Sequence, residues 1–364
     1  MNRHWAACAA VGLLVLPWPA AAWNWAYDDS ERAQGAEFAQ SKAICRRLED
    51  RKPPPADRPD AAQRKKLAGC DAGALYYGIG EPRQPERARQ CAFIEAEQAG
   101  DDAGDRSFFG LSVLMMIYAN GRGAERDLDL ATALACRIHG PPAEVDHRVK
   151  HLHKLAAKHW QGHDFDYCDD IITTMSANLC AARNASMVSA KREARLDRIA
   201  AGWPADVRRA FAGLRDAEQV YAKTSADNEV DLTGTARAIL TIHQGLHLHK
   251  VFEQLLNRLE KGDLPAGAAA DYKPADTRLN EVYRRIMALK TPPDERGPYG
   301  TADSLPWITV THAGIRKTER VWLRYREAWV DFAKQRYPDL PADALRAVLT
   351  RQRIDELKPF LAHS

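Results

Sequence analysis

The sequence lacks most of what marks an enzyme or a membrane protein. It holds no Gly-x-Ser-x-Gly turn, no phosphate-binding loop and no dinucleotide fingerprint. No Cys-x-x-Cys or Cys/His spacing of the zinc type occurs. No cysteine lies beyond Cys180, so half the chain must fold without covalent staples. Charge of one sign is missing too: 52 Lys+Arg face 49 Asp+Glu, scattered without a tail or dense patch. Binding of nucleic acid or of an anionic membrane by bulk charge is therefore disfavoured. Beyond the N-terminus no apolar run approaches the roughly 20 residues of a membrane span.

What the chain does have begins with a processing signal. Arg3 and His4 form a short basic start, Gly12-Leu13-Leu14-Val15-Leu16 an apolar core, and Ala20-Ala21-Ala22 a small-residue cleavage site. Residues 1–22 read as a leader cut before Trp23, giving a soluble periplasmic or secreted protein. Cys8 precedes the apolar core and leaves with it. Cys45, Cys70, Cys91, Cys136, Cys168 and Cys180 remain, an even set suited to disulfides in an oxidising compartment. Four cysteines allow three pairings. Cys45–Cys70 with Cys91–Cys136 is the working expectation, and Cys70–Cys91 is its rival.

Long stretches of helical periodicity, with little β-branched alternation, predict an all-α protein. Pro53-Pro54-Pro55, Pro141-Pro142, Pro292-Pro293 and the Gly262/Pro265 region punctuate it. Two weakly self-similar segments lie between residues 60 and 140. One runs from Cys70 through Tyr76-Tyr77-Gly78 to Gln90-Cys91-Ala92; the other runs from Gly110 through Tyr118-Ala119-Asn120-Gly121 to Leu134-Ala135-Cys136. Each predicts an αα-hairpin. Tyr118-Ala119-Asn120-Gly121-Arg122-Gly123 followed by Arg126-Asp127 resembles the Sel-one-like repeat, a relative of the tetratricopeptide hairpin. That resemblance implies a short repeat domain over 23–162 with a face for protein contacts. Helices around 36–47 and 145–160 are expected to cap its two ends.

The last ninety-odd residues carry the most specific pattern. Leu279, Asn280 and Tyr283 are followed by Trp322, Tyr325 and Arg326, and then by Arg353 before Leu357. This combination resembles the LprI-type lysozyme-inhibitor domain. The resemblance implies a small helical bundle over 270–364 that binds lysozyme or a related peptidoglycan hydrolase, with no catalytic residue, cofactor or metal. Glu218 and Tyr221 sit in the upstream order where Glu319 and Trp322 sit later, so residues 163–262 read as a diverged first module. The expected architecture is a short αα-hairpin repeat domain followed by two small helical bundles. Related modules also imply a Cys168–Cys180 bridge. In an unbroken helix these residues would stand ~18 Å apart, beyond the ~7 Å Cα separation a disulfide tolerates. If they pair, the chain folds back between Asp170 and Ser176. Two departures from the family are visible: Glu319 where glutamine is common, and Trp329 where cysteine is common.

The aromatic stripe of Trp322, Tyr325 and Trp329 reads as bundle core, with Asn280 and Arg326 bonding helix ends or carboxylates. The functional reading turns Arg326 or Arg353 outward toward an acidic partner, since arginine meets carboxylates through paired charge-assisted bonds. A lysozyme-type hydrolase offers two carboxyl groups in an open cleft. The proline-stiffened loop 291–300 offers Arg296 and Tyr299 for the same role. His243 and His247, four apart with His249 nearby, are the nearest approach to a zinc pair. Gln244 stands where a metalloprotease would need glutamate. His151 and His153 add no ligand spacing. A scaffold or immunity-type protein acting through the repeat half is the competing reading.

Overall fold

The computed structural model describes residues 23–361 apart from Asp105, residues 297–299 and Trp307. The expected leader, 1–22, lies outside the described residues. Among those described there are thirteen α-helices and no strand, the all-α class that the periodicity predicts. A lone bridge joins Ser304 to Thr311. No described helix is long and apolar enough to cross a membrane. The chain divides into two compact units, one up to Thr173 and one from Thr174.

The first unit contains α1 Ala39–Arg47, α2 Ala61–Lys66, α3 Ala72–Tyr77, α4 Pro85–Ala99, α5 Gly110–Asn120, α6 Leu128–Ala135 and α7 Pro142–Ala157. From α3 onward each helix packs on the next. Both hairpins form where the sequence places them, α3 with α4 and α5 with α6. Gly78 and Gly121 end their first helices in the left-handed conformation, at φ of 75° and 61°, which glycine adopts without a Cβ clash. Pro85 opens α4, and the Asp127 carboxylate caps α6 by accepting the Leu130 N–H at 2.8 Å. Every residue of α5 is buried, as its all-round apolar sequence requires.

Two expectations change here. The end helices do not cap opposite ends: α1 packs against α7, and the Ser41 hydroxyl donates to Asp146 at 2.7 Å. Ser41 accepts in turn from the Trp25 indole at 2.8 Å. The unit therefore closes on itself. The working disulfide pairing is also overturned, and the rival holds. Cys45 bridges Cys136 with Cα atoms 5.7 Å apart, and Cys70 bridges Cys91 at 6.1 Å. The cause is the same closure, which brings α1 beside the end of α6.

Glu95 on α4 is 3% exposed and accepts the Ala72 N–H at 2.9 Å and the Gly110 N–H at 2.8 Å. These are the first amides of α3 and α5, donors that no helix satisfies internally. One carboxyl thus serves two helix N-termini.

The second unit contains α8 Thr174–Ala200, α9 Ala205–Asn228, α10 Arg237–Glu260, α11 Tyr272–Ala288, α12 His312–Arg336 and α13 Ala342–Leu357. These helices share one core rather than forming two bundles. Phe211 and Phe252 from the upstream half pack with Trp329 and Phe332 from the downstream half. The apolar positions recur at helical spacing on facing helices, Val207, Phe211 and Leu214 on α9 against Trp322, Tyr325 and Trp329 on α12. Splitting the unit at residues 262–270 would expose both faces. The helices α9 and α12 run antiparallel: Trp203 precedes α9 and touches Phe332 near the end of α12, while Gly314 at the start of α12 lies against Asn228.

Burial pushes the Glu95 carboxyl up to about 7, against the pull of its two amide partners. Its folded value is raised above the unfolded one, so the native state keeps a proton that the unfolded chain has lost. Stability of the first unit should therefore fall as pH rises from about 4.5 to 7, by up to about 3 kcal/mol. Comparing melting temperature against pH for the native chain and Glu95→Gln checks this: the substitution should flatten the slope in that window.

Candidate functional site

Helical spacing groups the family-pattern residues correctly but does not say which way each group faces. Leu279 and Trp322 are core, 4% and 1% exposed. Tyr325 is buried and stacks on Tyr221 of α9, ring centroids 5.1 Å apart. Tyr283 is half-buried against the same core. Asn280 is exposed, and its amide donates to the Asp276 carbonyl one turn back on α11. The expected three-helix core is in fact the shared core of the whole unit.

Arg353 does not point outward. It is fully buried at the meeting of α9, α12 and α13. Its Nη2 donates to Glu229 Oε1 at 2.5 Å and its Nη1 to Glu229 Oε2 at 3.0 Å. Its Nε donates to Glu319 at 3.0 Å, and Nη1 also reaches the Tyr221 hydroxyl and Glu356, each at 3.3 Å. Tyr221 donates to Glu356 and closes the ring. Burial pushes Glu319 and Glu356 above the usual carboxylate range, against the pull of Arg353. Burial opposes the Arg353 charge as well, but Glu229 and its neighbours hold it firmly protonated. The guanidinium is met mainly by the paired bonds of Glu229. Acids do converge here, yet on an arginine in the interior and not on an open cleft.

Arg326 is also buried, 8% exposed, correcting the outward reading for both arginines. It donates to Glu327 at 2.9 Å and lies 3.6 Å from Asp276 on α11. Its guanidinium packs over the Trp322 and Tyr272 rings. The outward face of α12 belongs to residues the family pattern did not single out. Lys317, Arg320 and Arg324 follow one another at i, i+3 and i+7, all exposed and without an ion pair among the described residues. Sequence showed their spacing; only the burial of the opposite face shows that they look outward.

Arg296 is half-buried, with its Nε shielded from solvent and without a hydrogen-bond partner among the described residues. Tyr299 lies outside the described residues. His243 and His247 are exposed on α10. His249 turns inward instead, its Nδ1 2.6 Å from Glu218, which also takes a 2.6 Å bond from Arg192. His151 pairs with Asp170 at 3.0 Å. No group of three metal-binding side chains occurs among the described residues.

Comparison with known proteins locates this bundle in a family. Residues 259–357 match the family described as lysozyme inhibitor LprI. An uncharacterized protein of Rhizobium meliloti (strain 1021) is 31% identical over 109 residues, covering 27% of this chain and 72% of that protein. The chain carries an LprI domain. No solved structure matches it. The family is one of inhibitors rather than enzymes, and it accounts for α11 to α13. The hairpins of the first unit and nearly all of the expected first module, 163–262, lie outside the matched stretch.

The LprI domain depends on its buried arginine. Arg353→Ala would leave Glu229 and its neighbours as uncompensated buried acids, a loss of about 3–5 kcal/mol. Arg353→Lys keeps the charge but loses the planar fork, and should recover only part of that. Hydrogen exchange of α13 amides across the three proteins is the measurement, with protection falling in the order Arg, Lys, Ala.

Proposed function

We propose that the protein works outside the cytoplasm by binding lysozyme or a related peptidoglycan hydrolase, and blocks it through the outer face of α12. The observation that carries this reading is the row of Lys317, Arg320 and Arg324 on the exposed side of the LprI domain. A retaining glycosidase presents two carboxyl groups across an open cleft. Unpaired cations on a rigid helix complement that target and lose little entropy on docking. Arg296 and Tyr299, which follow α11 in sequence, are the second half of the proposed contact. Disulfides and a leader over 1–22 fit a periplasmic or secreted setting.

Turbidity assays of peptidoglycan lysis, with the full chain titrated against a panel of lysozymes, test the proposal. Inhibition should appear at micromolar protein or below. The double substitution Arg320→Glu, Arg324→Glu should weaken it by roughly tenfold or more while leaving the melting temperature unchanged. An inert native protein across the panel would remove the inhibitor reading.

A second reading rests on a different observation. The first unit carries a cavity of ≈ 580 Å³ whose wall includes Tyr118, Trp160, Glu125 and Asp129. A scaffold acting through its helical hairpins would use this cavity to hold a partner protein. Partner capture that is lost in Trp160→Ala and kept in the α12 double variant would favour it.

We also propose Cys168–Cys180 as the third bridge. The helical run is broken between the 3-10 turn Tyr167–Asp170 and the start of α8 at Thr174, so the two cysteines do not share an unbroken helix, which supports the pairing. Peptide mapping without reduction should recover the two cysteines in one linked fragment; separate alkylated peptides would refute the pairing.

A further inference from the structure

Outside the LprI domain, α8 and α10 pack side by side and leave a cleft along part of their seam. Val188, Arg192 and Arg195 recur at i, i+4 and i+7 along α8. Leu246, Lys250 and Asn257 recur at i, i+4 and i+11 along α10, with Gln254 between the last two. The helices are tied at one end by Arg195 and Glu253, which share two bonds of 2.5 and 2.8 Å. Toward the other end the Asn178 amide donates to the Thr235 carbonyl at 3.3 Å. Around the Arg195–Glu253 tie lies a cavity of ≈ 470 Å³.

Its lining combines two chemistries. Val188, 49% exposed, and Leu246 supply an apolar wall that nothing covers. Arg192, 7% exposed, supplies a cation whose Nη1 and Nη2 are committed to Glu193 and Glu218. The Arg192 Nε is cut off from solvent and has no acceptor. Lys250 is exposed at the same cavity, with no carboxylate partner among the described residues. The amides of Gln254 and Asn257 also line it. Glu253 is the acid on this wall, and Arg195 holds it below the usual carboxylate range. The open valences are therefore mostly donors, set beside an apolar surface.

We propose that this cleft binds an anionic amphiphile, with a carboxylate or phosphate head at Lys250 and Gln254 and a linear apolar tail along Val188 and Leu246. Charge complementarity selects the head, and the uncovered wall selects the tail. A neutral head would forgo the Lys250 ammonium, and a short anion would leave the apolar wall in water. The site lies outside residues 259–357, so it stands whether or not a lysozyme is inhibited.

Calorimetric titration of the full chain below micelle-forming concentrations tests the idea. Dodecanoate and dodecyl phosphate are the two head-group arms, dodecyl maltoside is the neutral control and butyrate the tailless one. One saturable equivalent of dodecanoate or dodecyl phosphate is expected, with the tighter of the two naming the source as a free fatty acid or a phosphate-headed lipid. Dodecyl maltoside and butyrate should bind at least roughly tenfold more weakly. Lys250→Glu, at an exposed and unpaired position, should weaken the anionic ligand by roughly tenfold with melting temperature unchanged. Equal binding of the maltoside, unsaturable uptake, or no effect of Lys250→Glu would overturn the proposal.

Discussion

One buried guanidinium sets the terms for the C-terminal half of this protein. A charge taken out of water is tolerated only when its partners are placed with care. Arg353 on α13 obtains those partners from α9, α12 and its own helix: Tyr221 from the first and Glu229 from the cap that ends it, Glu319 from the second, Glu356 from the third. Any slip of one helix along another would strand a donor or an acid. The network therefore fixes rotation and register where the apolar core alone would allow sliding. It also has a consequence for the family boundary. The matched stretch begins at residue 259, yet Glu229 and Tyr221 lie upstream of it. In this chain the LprI helices are completed by α9, and a fragment cut at residue 259 would carry Arg353 without its principal acid.

The N-terminal unit solves a related problem with the opposite charge. Glu95 gathers the free amides at the starts of α3 and α5, and burial keeps its carboxyl partly protonated near neutrality. Short helices of six and eleven residues have little packing surface of their own. Two disulfides compensate by restricting the unfolded chain, one spanning 91 residues and one 21. The second unit, with helices of 16 to 27 residues and a single aromatic core, has less need of such ties.

Much of this was legible in the residues, and the failures share one cause. Periodicity predicted the helices, the two hairpins and the buried stripe of Trp322, Tyr325 and Trp329. Spacing within a helix says which side chains share a face, but not what that face meets. The reading of Arg326 as bonded to a carboxylate holds, while the alternative that turned Arg353 or Arg326 outward fails: nothing local reveals that Glu229 lies 124 residues from Arg353 and in contact. The cysteine pairing failed for the same reason, since the closure of α1 on α7 joins segments about a hundred residues apart. The two expected bundles merged because the upstream and downstream apolar faces were each read as complete. His249 illustrates the limit in miniature. It was weighed with His243 and His247 by spacing alone, whereas Glu218 on another helix turns it inward.

The two faces of α12 connect this interior to the surface. Trp322, Tyr325 and Trp329 hold one side in the core, and Glu319 is tied to Arg353. With its rotation set from inside, the helix has no freedom in where it presents Lys317, Arg320 and Arg324. Three exposed cations on a mobile loop would each give up conformational freedom on meeting an acidic cleft. On a helix anchored by a buried ion pair, most of that cost has already been met in folding. In the proposed reading the buried arginine would act on recognition without touching a partner: it holds still the surface that the partner would meet.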